Sequence, residues 1–356
     1  MADTPDLGSG AARCVGSSPT MPTNKCVDCF MVFEPGRVNR NARPRLATIC
    51  GMRALVVACV FVLAAMSGRC GLAGDDSCAV KAGEPKISVF AITVRRVARE
   101  RGIPLAKAID LFHAAGVRGV DIDPDNDDLP EFAASKLKPV NLYLFPRMFT
   151  ADNGEADRIR CFKQAARFGI TRVMVVPPDF TKGGDEEAEF QKVLSSMKRF
   201  VEEGQKQGLV ITVEDYGGTG NPCSHMKYLK RLLDEIPGLC FALDTGNLYY
   251  AGRGESILEM AHYAKGRIAH VHLKDMSRED NRKYVTLGLG AVPNEELVKG
   301  VASSGYDGWY TFENLVGDAC ADAVRQKAVL EWWLGAVTFT RNRRQIRFVE
   351  LRCGGE

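Results

Sequence analysis

Four short runs in the second half of this 356-residue chain each end on a side chain able to ligate a metal. They are Val210-Ile-Thr-Val-Glu214, Cys240-Phe-Ala-Leu-Asp244, Ile268-Ala-His-Val-His272 and Trp309-Tyr-Thr-Phe-Glu313. Each is apolar and then abruptly polar, the pattern of a buried strand that stops at a functional edge. Three carboxylates and one imidazole suit a hard-to-borderline divalent ion. With no thiolate among them, Mn²⁺ or Mg²⁺ is favoured over Co²⁺ or Zn²⁺. Buried without a cation, the three carboxylates would repel one another and rise in pKa. Any one of these acids alone reads equally well as an ordinary loop-edge residue; four at corresponding strand ends argue for a shared site.

Alternation along a strand decides which side chains accompany the ligands, because residues i and i+2 share a face. Val210, Thr212 and Glu214 point together, as do Cys240, Ala242 and Asp244. Ile268, His270, His272 and Lys274 form a third set, and Trp309, Thr311 and Glu313 a fourth. The opposite faces are apolar enough to pack on helices. From Lys86 onward, strand-like runs alternate with helical ones. Strands are expected at 86–93, 119–123, 139–145 and 171–176, before the four ligand-bearing runs. Helices are expected at 104–116, 157–168, 186–207, 224–236, 256–265, 294–304 and 319–334. The first of these has Pro at its start, Gly at its end, and Leu105, Ala108, Ile109 and Phe112 on one face.

Eight strands alternating with helices over residues 86–337 predict an α/β fold, a single-domain (β/α)8 barrel, whose chemistry sits at the C-terminal strand ends. A doubly wound sheet would also alternate, but no Gly-rich loop follows the first strand. Leu287-Gly-Leu-Gly290 precedes a helix and reads as a turn.

Composition excludes some functions. The chain is 46% hydrophobic and 26% charged with a net charge of +3, but residues 1–74 contribute +4 and residues 341–356 contribute +3. The stretch between is therefore mildly acidic, unlike a nucleic-acid-binding surface. Seven of the twelve Cys precede residue 80 and the rest are widely spaced, which is no disulfide scaffold. Cys26-Val-Asp-Cys29 lacks the second ligand pair that a zinc site needs.

Residues 1–51 are rich in Gly, Pro, Ser, Thr and Arg without apolar period, and read as disordered or as a start assigned too early. From Met52 a basic start and a short apolar run resemble a secretory signal over 52–74, with Gly71-Leu-Ala-Gly74 as the cleavage region. The alternatives are a lipoprotein signal at Cys70, which Arg69 fits poorly, and a buried strand or helix. The run falls short of the roughly 20 residues of a bilayer span, so no stable membrane span is expected. An exported protein follows if Met52 starts the leader, a cytoplasmic one otherwise. Residues 338–356 form a basic tail with no assigned role.

The motifs Glu214-Asp-Tyr-Gly, Asp244-Thr-Gly-Asn247, His270-Val-His-Leu-Lys-Asp275 and Gly305-Tyr-Asp-Gly-Trp-Tyr-Thr-Phe-Glu313 resemble those of the xylose isomerase-like TIM-barrel superfamily. That resemblance covers about residues 86–337. It implies Glu214, Asp244, His272 and Glu313 as metal ligands, with His270 one step deeper as a neighbour or substrate contact. Asn247 stands where the DNA-repair branch carries a His ligand, and is expected to meet substrate instead. Of the five His in the chain, His113 and His262 fall in expected helices and His225 opens another, so an AP endonuclease with three zinc ions is the least expected of the alternatives.

The superfamily's sugar enzymes remove a proton from carbon beside a carbonyl, through a metal-bound enediolate. Resemblance to ketose epimerases makes Glu214 and Glu313 the acid/base pair, with Lys274 steadying oxyanion charge or standing as a solvated rim lysine. A sugar isomerase or epimerase is the first expectation. A dehydratase or keto-glycoside lyase on the same site is the alternative, and a non-catalytic sugar-binding barrel is a third. If the protein is exported, a free sugar or keto-sugar suits it better than a sugar phosphate. Loops 179–185 and 276–284 are expected to line the pocket without naming a sugar, and the oligomeric state is left open.

Overall fold

The structure, a computed structural model, describes residues 84–335 apart from positions 219 and 255. The leader read at 52–74, the flanking segments 1–51 and 338–356, Cys70 and the Cys26/Cys29 pair lie outside the described residues.

Eight parallel strands close into a barrel. They are β1 (Lys86–Phe90), β2 (Gly119–Ile122), β3 (Lys138–Leu144), β4 (Arg172–Val175), β5 (Val210–Glu214), β6 (Cys240–Asp244), β7 (Ile268–Leu273) and β8 (Trp309–Phe312). Each pairs with its chain neighbours, and β8 closes on β1 with Ser88 opposite Thr311. The expected (β/α)8 architecture is the observed one.

The two strand faces divide as the alternation requires. Ile211, Val213, Phe241, Leu243, Val271, Leu273, Tyr310 and Phe312 point outward into the main core beneath the helices. Phe241 is fully buried, and truncating such a side chain to Ala costs about 3–5 kcal/mol. The inside of the barrel is different. Met174, Val176 and Ala242 form a small apolar cluster there. Ser88, Asp121, Asn141, Thr212, His270 and Thr311 are all buried, and all but Thr212 join one hydrogen-bonded network.

Helix boundaries follow local chemistry. Asp185 caps Glu186–Lys206 by accepting from the Ala188 amide, and three Glu occupy that helix's first turn. Asp318 caps Ala319–Trp333 by accepting from the Cys320 and Ala321 amides. Gly169 takes φ 67° to end Glu155–Phe168.

Several elements depart from the sequence reading. The first strand stops at Phe90 and not at Thr93, because a helix, Ala91–Glu100, begins at the next residue. Its β-branched Ile92, Thr93 and Val94 mimic a strand locally, yet Ala91, Val94, Val97 and Ala98 bury one helical face. Short helices at Leu129–Ala134 and Asn247–Tyr250, and a two-residue antiparallel pair joining Asp275–Met276 to Tyr284–Val285, also went unanticipated. No described helix is long and apolar enough to cross a membrane.

Candidate metal centre and active site

Glu214 ends β5, Asp244 ends β6, His272 lies next to the end of β7, and Glu313 follows β8 directly. Asp244 and Thr311 are the register partners of His272 on the two strands beside it. One ligand atom from each of the four residues lies within 4.8 Å of those of the other three. His272 Nδ1 faces Glu214 Oε1 at 2.7 Å, Glu313 Oε2 at 3.4 Å and Asp244 Oδ2 at 3.8 Å. The first three side chains are shut away, whereas Glu313 is 25% exposed and marks the side open to solvent.

The donor set fits a divalent cation. Asp244 Oδ2 and Glu313 Oε2 are buried and accept no well-aligned hydrogen bond, their cationic neighbours being the Lys274 ammonium at 3.0 Å and the His272 ring at 3.4 Å. Burial and the crowding of Glu313 and Glu214 raise Asp244 well above the ordinary carboxylate range, against the pull of Lys274. Burial would raise Glu313 too, but Lys274 and His272 hold it ionised, well below that range. Oxygen-rich ligands that repel one another and leave lone pairs unused are what a hard cation requires.

A carboxylate not singled out by the sequence supports this centre from below. Asp121, on β2, accepts from His272 Nε2 at 3.1 Å and His270 Nε2 at 2.7 Å. Asn141 Nδ2 donates to it at 2.8 Å, Thr311 Oγ1 at 3.0 Å and Ser88 Oγ at 3.1 Å. Burial alone would raise Asp121, but the two imidazoles outweigh it and hold the group far below the ordinary range. Occupied through Nε2, His272 turns Nδ1 toward the carboxylates, the arrangement by which metal-binding imidazoles are oriented. Burial opposes charge on His272, yet the acceptors Asp121, Glu214 and Glu313 raise its pKa well above the usual value. The available sequence signal was an Asp between Val120 and Ile122, on the inward face of a strand otherwise fully buried.

The remaining candidates fall at two levels. His270 sits a layer below the four candidate ligands, fully buried, its ring 5.0 Å from that of His272. Burial lowers its pKa, against the pull of Asp121. Lys274 and Asn247 join the layer of the four candidate ligands. Lys274 Nζ lies 3.0 Å from Asp244 Oδ2 and 2.8 Å from Glu313 Oε1, and donates to Asn247 Oδ1 at 2.9 Å. Burial disfavours its charge, but Asp244 and Glu313 prevail and hold it as ammonium. The Asp244-Thr-Gly-Asn247 turn is set by Asp244 Oδ1, which accepts from the amides of Gly246 and Asn247. Gly246 is required because a Cβ there would collide with the Lys274 side chain. Behind Asp244, buried Asp215 accepts from the Asp244 amide at 2.8 Å.

Aromatic rings line the way out. Phe90 packs edge-on to His272 at 5.1 Å and against Tyr143 at 5.2 Å, and the contacts continue through Phe145 to Tyr216. Burial, with Asp123, Asp121 and Glu313 adding to it, pushes the Tyr143 phenol up to about 12, so it stays protonated at neutral pH.

A profile of the xylose isomerase-like TIM barrel family matches residues 96–333, and the chain belongs to that family. It is 28% identical over 162 residues to inosose dehydratase 2 of Bacillus cereus, covering 40% of this chain and 53% of that protein. The chain thus spans about half the length of the curated relatives it matches.

The fold is shared with several solved structures. The probable 3-DHS dehydratase AsbF of Bacillus anthracis has a TM-score of 0.56 at 14% identity, over 69% of this chain and 98% of that one. An L-ribulose 3-epimerase has a TM-score of 0.55 at 14% identity, over 70% and 95%. A xylose isomerase-like TIM barrel protein of Mycobacterium smegmatis, solved with magnesium, has a TM-score of 0.52 at 18% identity, over 64% and 87%.

Proposed function

We propose that this protein is a divalent-metal-dependent isomerase or epimerase of a sugar-like carbonyl compound, with Mn²⁺ or Mg²⁺ as its metal. The observation that carries this reading is the convergence of Glu214, Asp244, His272 and Glu313 on one point at the C-terminal mouth of the barrel. These four would hold the cation, which when bound supplies Lewis-acid stabilisation of charge developing on adjacent substrate oxygens.

The protein's own groups would then divide the work. Glu214 and Glu313 come from the outermost of four consecutive strands and flank the site. One would take a proton from the carbon beside the carbonyl and the other return it, a contribution of about 10²- to 10⁴-fold per group. Lys274, held as ammonium, would act as a cation that steadies oxyanion charge and not as a base. His270 and Asn247 would meet the substrate or steady the groups that do. Phe90 and Tyr143 would limit water beside the reacting carbon.

A second reading is elimination on the same residues, giving a dehydratase. The partial match to inosose dehydratase favours it. Export, which holds if Met52 starts the leader expected at 52–74, stays part of the proposal and would point to an unphosphorylated substrate.

The test is solvent-deuterium incorporation, read by mass spectrometry with Mn²⁺ present, across ketoses, inososes and 3-keto-sugars. An isomer of equal skeleton carrying one deuterium supports the first reading. A product lighter by water, or by an aglycone, supports elimination. No exchange with any of these compounds rules out both.

A further inference from the structure

We propose that Arg96 forms an anion subsite beside the metal centre, holding a carboxylate at the far end of the substrate. A pocket of about 270 Å³ opens between the ends of β1 and β8, lined by Phe90, Ile92, Thr93, Arg96, Glu313 and Asn314. It adjoins the four-residue metal group through two of these residues. Glu313 belongs to the four-residue metal group, and the Phe90 ring packs on His272. This is the neighbouring cavity into which the far end of a molecule engaged at the centre would extend.

Among the described residues, Arg96 is the one cationic side chain lining the pocket. Its hydrogen bonding to them is meagre: Nη2 reaches the Leu315 carbonyl at 3.4 Å, and Nε is buried without a partner. Its neighbour Arg95 shows the contrast, because it donates to Asp128 and to Asn126 at 2.6 Å each. A guanidinium carries five N–H donors in a planar fork; Nε is enclosed by protein, and the terminal Nη edge, with one long contact to the Leu315 carbonyl, is the part left for a ligand. The fork matches a carboxylate through two parallel bonds.

A single cation balances a single negative charge. A phosphate ester brings nearly two at neutral pH and would have to sit beside the Glu313 carboxylate, so the carboxylate is the better fit. The ligand class is accordingly a sugar acid, such as a uronate. This rests on the sugar-enzyme reading for the class of molecule, but not for its charge.

Thermal unfolding of the full chain with Mn²⁺ tests the subsite. The probes are D-glucuronate and D-galacturonate, the neutral D-glucose and D-galactose, and D-glucose 6-phosphate. The uronates should raise Tm at concentrations at least about tenfold below those their neutral counterparts need, the gain expected of one charge-assisted contact. Arg96→Gln should erase that difference, leaving the response to neutral sugars and to Mn²⁺ intact. Arg96→Lys, which keeps the charge but loses the fork, should fall between.

Uronates that act no better than neutral sugars overturn the proposal, and so does a preference that survives in Arg96→Gln. Stronger stabilisation by the phosphate ester than by either uronate overturns the carboxylate assignment. Deuterium exchange without an anion preference removes only the subsite. An Arg96-dependent preference without exchange on any substrate removes only the catalytic reading.

Discussion

His272 and Asp121 meet edge to edge across the inside of the barrel, Nε2 to Oδ2 at 3.1 Å, and this contact fixes which nitrogen of His272 faces the three carboxylates. Asp121→Asn replaces a full negative charge with an amide that no longer favours one imidazole orientation. Support of this kind is worth about 10- to 100-fold in metal affinity. Calorimetric titration of the variant with Mn²⁺ should show a loss in that range while circular dichroism stays native. An unchanged affinity would remove Asp121 from the metal centre.

Metal binding should stabilise the fold, because the site assembles residues from β5 to β8 only in the native state. At a Mn²⁺ concentration 100 times the dissociation constant, the gain is about 2.7 kcal/mol. Chelation should lower Tm and Mn²⁺ restore it. Asp244→Ala should abolish the response, and a Tm in that variant still raised by Mn²⁺ would mean that the ion binds elsewhere.

Metal affinity should rise with pH. In the metal-free protein the His272 pKa stands well above the usual value, so at neutral pH a proton must leave Nδ1 before it can ligate. Apparent affinity should climb by about tenfold or more per pH unit below that raised pKa, with one proton released per ion from His272 and a further one wherever Asp244, also raised, is still protonated. Calorimetry in buffers of different ionisation enthalpy measures the release. For stability the sign is opposite. The proton on His272 contributes fully below the unfolded pKa of about 6.5, and that contribution is lost as pH rises through the folded value. Metal-free protein should therefore lose stability on the alkaline side sooner than metal-bound protein.

Glu214→Gln should cut deuterium exchange into product by about 10²- to 10⁴-fold, the range of a single acid/base group. Sugar affinity, measured with the variant kept metal-loaded, should change far less. Equal losses in binding and exchange would make Glu214 a ligand alone.

Asp275 should prove structural. It is buried, and its carboxylate accepts from the amides of Met276, Gly288, Gly290 and Val292, gathering the Leu287–Gly290 turn around it. A Cβ at Gly290 would strike that carboxylate, which accounts for the glycine. Asp275→Ala strands buried donors at about 1–3 kcal/mol each, so denaturant unfolding should show a loss of several kcal/mol. Mn²⁺ affinity should fall much less than in Asp244→Ala.

The barrel and the four strand ends were legible in the order of residues alone. Parallel strands packed on helices must alternate in a readable way, and polar residues closing apolar runs stand out against them. His270, Lys274 and Asn247 were within reach for the same reason, since they share motifs with Asp244 and His272. Asp121, the Ala91–Glu100 helix and the Arg96 pocket emerge only on folding. Asp121 matters only because closing the barrel brings β2 across from β7, more than a hundred residues away in sequence. The helix forms because burial of Ala91, Val94, Val97 and Ala98 outweighs the strand preference of three β-branched residues. Arg96 differs from Arg95 only in what surrounds it, and no local pattern encodes a missing partner.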